Sequence, residues 1–95
     1  MYQLRIKPNA DKILKKLFKK NPKQLEIINK KVNEIRENSF HSYKFLRSPL
    51  NGFNRVHIDG HFVLIFRIIH NEQAVELWHF GHHDEVYKGK FISHE

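Results

Sequence analysis

The stretch Phe53-Asn54-Arg55-Val56-His57-Ile58-Asp59-Gly60-His61-Phe62-Val63-Leu64-Ile65-Phe66-Arg67-Ile68-Ile69 decides the fold. β-Branched and aromatic residues crowd both sides of the turn pair Asp59-Gly60, which predicts a hairpin of strands Phe53–Ile58 and His61–Ile69. In the second arm Phe62, Leu64, Phe66 and Ile68 alternate with His61, Val63, Ile65 and Arg67. The face with the larger apolar residues should meet helices, leaving the other turned away from the core. A three-residue loop Ile58-Asp59-Gly60, with Gly60 left-handed, pairs His57 with His61, Val56 with Phe62 and Arg55 with Val63. A two-residue turn would set His57 opposite Phe62 on the buried face, a slip that burial opposes. The expected outer face therefore bears Arg55, His57 and His61.

Working downstream, His70-Asn71-Glu72-Gln73 reads as a second turn and Ala74 to Phe80 as a further strand, which runs on through Gly81-His82-His83. Asp84-Glu85-Val86-Tyr87-Lys88, with acid in its first turn, predicts one short helical turn. Upstream, Phe40 to Gly52 is a long irregular connection of the kind that is often functional. Before it lie two helical patterns. Asn9 is a cap for a helix whose stripe is Ala10, Ile13, Leu14, Leu17 and Phe18. Asn21, Pro22 and Gln24 form a second helix start, with Leu25, Ile28, Val32 and Ile35 on one side and an end near Asn38-Ser39. Almost nothing separates the two, so they form a tight antiparallel helical hairpin. Tyr2, Leu4 and Ile6 alternate with polar residues in an opening strand that Pro8 ends. The predicted order is β-α-α-β-β-β with a terminal turn. The fold class is α+β, a helical hairpin on one face of a mostly antiparallel sheet, in a single domain spanning residues 1–95.

The whole chain has 95 residues, about one domain. With no cysteine it excludes disulfide scaffolds, thiolate metal sites and cysteine nucleophiles, and suits a reducing compartment. The N-terminus lacks a signal-peptide block, and no run reaches the roughly 18 apolar residues of a membrane span, so a cytoplasmic domain without membrane association is expected. A net charge of +7 favours a polyanionic partner. Residues 1–50 hold 13 basic and 4 acidic groups (+9), while residues 51–95 hold 4 and 6 (−2). Seven of the eight histidines fall in that second half.

Histidine titrates near pH 6.5 when unperturbed, so a pair can divide proton removal and donation at neutral pH. Together with cations, this suits RNA cleavage by a 2′-hydroxyl with neither metal nor cofactor. The fourth strand would bring another imidazole, His83, beside the hairpin pair, with Tyr87 one helical turn further on. Structural readings compete at each position. Exposed strand histidines are commonly solvated, Lys12, Lys15, Lys16, Lys19 and Lys20 fit a solvated helix face, and Trp78 fits a packing role. His57-x3-His61 with His83 could ligate zinc, but no Cys or well-placed carboxylate completes that set and the cationic surroundings oppose a dication. No metal site is therefore assigned.

Leu46-Arg47-Ser48-Pro49-Leu50-Asn51-Gly52-Phe53-Asn54-Arg55-Val56-His57-Ile58, then Gly60-His61-Phe62-Val63-Leu64-Ile65-Phe66, then Phe80-Gly81-His82-His83-Asp84-Glu85-Val86-Tyr87-Lys88 resembles the RelE/ParE superfamily of toxin–antitoxin modules. The likeness spans nearly the whole chain and is closest to the YafQ and RelE branches. It implies a cytoplasmic toxin held by a cognate antitoxin in a hetero-oligomer. In those branches it also implies a ribosome-dependent endoribonuclease, an mRNA interferase that inhibits translation. His57 and His83 fall at functional histidines of YafQ-like toxins, Tyr87 at their functional aromatic and His61 at an aspartate. Arg55 and Arg47 fall near basic residues of RelE, which implies contacts to RNA phosphate. Val63 stands where RelE has an arginine, and Ser48 where YafQ has a further histidine. The alternatives are a ParE-like toxin that inhibits DNA gyrase without chemistry, or an inactive member that only binds its antitoxin.

Overall fold

A computed structural model describes residues 1–48 and 50–86. The chain runs β1 (Gln3–Ile6), α1 (Pro8–Lys20), α2 (Pro22–Glu37), β2 (Lys44–Phe45), β3 (Asn54–Ile58), β4 (Phe62–Ile69), a 3-10 turn (His70–Glu72), β5 (Ala74–His82) and α3 (His83–Val86). The five strands form one sheet in the order β1-β5-β4-β3-β2. β1 lies parallel to β5 and every other pairing is antiparallel. This is the α+β arrangement expected, with the two helices over one face of the sheet.

The helix starts differ in their chemistry. Asn21 caps α2 as expected, its side chain accepting from the Gln24 amide at 3.2 Å. α1 instead begins at Pro8 with Lys7 at the cap, and Asn9 lies inside the first turn with its side chain spent elsewhere. Proline's fixed φ and missing N–H make it a ready first helical residue, which overrides the Asn9 cap. On the helix side of the sheet Ala10, Ile28, Val32, Ile35, Ile58, Leu64, Phe66, Val75, Leu77 and Phe80 form the main core, with Ile13, Leu14 and Leu17 packed against it. Phe18 was expected in that stripe but is 70% exposed, one helical step past the face that meets the sheet.

The hairpin register differs from expectation by two residues. Ile58 pairs with Phe62, His57 with Val63, Val56 with Leu64 and Arg55 with Ile65. The loop is Asp59-Gly60-His61, with Asp59 at φ 56° and Gly60 at φ 76°. The His61 amide closes it by donating to the Asp59 carbonyl at 2.8 Å. Ile58 belongs to the strand because it is buried in the helix-side core, at 1% exposure. Stranding it in a loop would forfeit burial worth about 2 kcal/mol.

The other face of the sheet also departs from expectation. Val63 and Ile65 were expected to point away from a core, yet both are fully buried in a second apolar cluster with Leu46, Leu50, Phe53, Trp78 and Val86. The connection after α2 and the short α3 supply its cover. That connection, irregular by its composition, is partly ordered by β2. The buried Asn54 side chain donates to the Tyr43 carbonyl at 3.3 Å, and the Leu46 amide donates to the Phe53 carbonyl at 2.9 Å. Among the described residues no helix is long and apolar enough to cross a membrane.

Candidate functional site

The sheet register assembles one end of the molecule. A bulge interrupts the β4–β5 ladder: Ile65 pairs with His79 while Phe66 pairs with Leu77, leaving Trp78 extra. Trp78 and His79 thus share the side away from the helices, and Phe80 returns to the helix-side core. Beyond it Val63 pairs with Gly81 and Phe62 with His82. The ladder continues past the last strand residue, the His83 amide donating to the His61 carbonyl at 3.0 Å. The hairpin loop and the start of α3 are thereby joined backbone to backbone.

Three imidazoles converge there. His61, His82 and His83 each offer a nitrogen within 4.8 Å of the others. The His61 and His82 rings stack at 6.0 Å with 4° between planes, and those of His82 and His83 at 4.7 Å with 28°. His61 is exposed, while the side chains of His82 and His83 are 39% and 37% exposed. Asp84 lies behind two of them. Its carboxylate is 3.0 Å from His83 Nδ1 and 3.6 Å from His82 Nδ1, and its backbone amide donates to His82 Nδ1 at 3.2 Å. An imidazole that donates Nδ1–H to a carboxylate is held in one tautomer, with the Nε2 lone pair free.

The remaining expected residues lie on the neighbouring strands and loop. His57 is exposed on β3, across the sheet from Gly81 through Val63, and outside the three-histidine cluster. Its Nδ1 accepts from the Arg55 guanidinium at a long 3.4 Å, which leaves Nε2 as its protonated nitrogen. Arg55 is half-buried, and its strand partner on β2 is Lys44, a cation that the sequence reading passed over. Arg47 is exposed in the loop that covers the second core. Tyr87 lies outside the described residues. The anticipated meeting of His57 with His61 is replaced by one of His61 with His82 and His83. The run of β5 through His82 was expected, but its pairing with Phe62 and its place in the cluster depend on the bulge. Asp84, expected as first-turn acid of a short helix, turns its carboxylate to the rings. His79 is half-buried nearby, its Nδ1 accepting from the Asn9 side-chain amide at 2.7 Å. A Cβ at Gly81 would come within 3.1 Å of its Nε2.

Comparison with known proteins gives this geometry a family context. The ParE toxin family of type II toxin–antitoxin systems, parDE, matches residues 4–87. A protein of Methanocaldococcus jannaschii bearing the provisional name toxin RelE4 is 51% identical over 90 residues, covering 95% of each chain. Among solved structures, a metal-bound toxin from Helicobacter pylori superposes with a TM-score of 0.76 at 26% identity, over 90% of this chain and 99% of the other. A YoeB/ParE toxin from Agrobacterium tumefaciens does so with a TM-score of 0.76 at 14% identity, over 85% and 98%, a likeness of fold alone.

Proposed function

We propose, from the premise that this chain belongs to the ParE toxin family of type II toxin–antitoxin systems, that it is an endoribonuclease cutting mRNA on the ribosome. The protein is a toxin of the RelE/ParE superfamily, the kind that a cognate antitoxin restrains. The observation that carries the nuclease reading is the His83–Asp84 pair inside a cluster of accessible imidazoles, in a sheet whose β2 and β3 strands carry Lys44 and Arg55.

The chemistry follows from the tautomers. His83 Nε2 takes the proton of a ribose 2′-hydroxyl, with Asp84 orienting the ring and stabilising the imidazolium that forms. The 2′-oxygen bonds to the adjacent phosphorus, and the bond to the 5′-oxygen breaks. His57, as the imidazolium, delivers its Nε2 proton to that leaving oxygen and is left neutral, so the products are a 2′,3′-cyclic phosphate and a 5′-hydroxyl. Arg55 and Arg47 hold the phosphate and offset the charge that grows on it, His61 adds a donor, and Tyr87 orients the nucleotide. Proton transfer of this kind contributes about 10²–10⁴-fold per group.

The test is incubation of the purified chain with translating ribosomes, with transcript ends mapped. His83→Ala and His57→Ala should each lower cleavage by roughly two orders of magnitude or more while the fold melts normally. Undiminished cutting by both rejects the assignment. The family match also favours a second reading, a toxin of the ParE branch that poisons DNA gyrase. Expression that stabilises gyrase–DNA breaks and leaves transcripts intact would select it.

A further inference from the structure

We infer that His61, His82 and His83 form a binding site for one divalent transition-metal ion, copper(II) or zinc, with Asp84 as the group that orients its ligands. Three neutral imidazoles are the donor set that such ions prefer, and magnesium and calcium do not. Metal–nitrogen bonds of 2.0–2.1 Å at tetrahedral angles place ligand nitrogens about 3.3 Å apart. Nitrogens already within 4.8 Å of one another need only close by ring rotation; for His82 the proton must also move from Nε2 to Nδ1, where the Asp84 carboxylate 3.6 Å away replaces the backbone amide as its partner. The backbone there is fixed by the ladder and by the His83–His61 bond, so the site is set before an ion arrives.

A second observation points the same way. Metal-bound histidines characteristically donate their other ring nitrogen to a carboxylate, and Asp84 stands 3.0 Å from His83 Nδ1. Glu85 beside it adds a second exposed negative charge. That local acidity answers the objection, raised by the overall net charge, that the surroundings would repel a dication. Exposure of His61 leaves a fourth coordination position open to water. The ligand set also differs from the one that sequence spacing suggested, with His82 in place of His57.

One consequence rests on the proposed nuclease reading. A nitrogen that ligates an ion has no lone pair for a proton, so the metal-loaded toxin cannot use His83 as its base. The ion would act as a reversible inhibitor competing with RNA for the same imidazole.

The experiment titrates the untagged, metal-free full chain with copper(II) alone, read by calorimetry and by electron paramagnetic resonance. The expected result is one ion per chain at micromolar affinity or tighter, with nitrogen hyperfine structure. His61→Ala, His82→Ala and His83→Ala should each weaken binding at least tenfold, and Asp84→Asn by about 10–100-fold. His70→Ala, at the opposite end of β4, should bind as the wild type does. If His82→Ala fails to fold by circular dichroism, His61→Ala decides, because that side chain is exposed. Absence of micromolar binding overturns the site, as does equal binding by the wild type and the His61 variant. Since no RNA is present, an ion-binding chain that leaves mRNA uncut would sink the nuclease reading alone.

Discussion

Replacing Val86 by alanine tests whether the second apolar cluster holds the site in place. Val86 is 1% exposed and is the buried anchor of α3, packed with Val63, Ile65 and Trp78 beneath the loop that carries Leu46 and Leu50. Alanine removes two methyl groups. Their transfer accounts for about 1.6 kcal/mol, and the cavity left behind brings the loss to about 2–3 kcal/mol. In a domain of this size that lowers the melting temperature by roughly 8–20 °C. α3 is a single turn, so its helical propensity alone cannot keep it formed. Loosening its anchor should therefore release the His83 amide from the His61 carbonyl and separate the imidazoles. The assays are thermal melting by circular dichroism and the imidazole resonances of His61 and His83. A melting point within about 2 °C of wild type, with unchanged histidine resonances, would refute the argument that Val86 packing supports the site.

Three further outcomes are expected. Gln73 sits at φ 49°, where a side chain is strained, so Gln73→Gly should raise stability by up to about 1 kcal/mol in urea unfolding, and any loss would contradict the left-handed turn. Tyr43 titrates above its ordinary value near 10, chiefly because burial disfavours the phenolate, with Glu34 adding to the shift and Lys31 opposing it. A raised folded value means that the native state keeps its proton longer than the unfolded chain. The stability so gained is intact below pH 10 and is lost as pH rises through the folded value, so Tyr43→Phe should flatten the alkaline end of a stability–pH curve. Gly81→Ala would press a methyl against the far edge of the His79 ring at 3.1 Å and lie 3.5 Å from Val86, so it should cost about 1 kcal/mol and shift the His79 resonances.

Most of the fold was legible because periodicity and turn chemistry agreed. The alternation through Phe62, Leu64, Phe66 and Ile68 identified the helix-side face, and Asn21-Pro22 marked the start of α2. What escaped depended on partners distant in sequence. Val63 and Ile65 have a period-two pattern that places them opposite the helices, but no local signal says that Leu46, Leu50 and Val86 will fold over them. Register slipped by two because Asp59 accepts a left-handed conformation that was assigned to Gly60 alone, which let Ile58 rejoin the strand. In the site, His61 and His83 were anticipated, while His82 was concealed behind the irregular step at Trp78.

That step has a bearing on how the chain tolerates insertions and deletions. Removing Trp78 would restore strict alternation and keep the faces, with Leu77 toward the helices, His79 away from them and Phe80 inward again. What such a deletion removes is the indole around which Phe53, Val63, Ile65 and Val86 cluster. The C-terminal half of β5 is thus written in a different reading phase from its N-terminal half. Length changes should be accepted at the hairpin ends, whereas a shortening here should keep the ladder in phase and empty the second core.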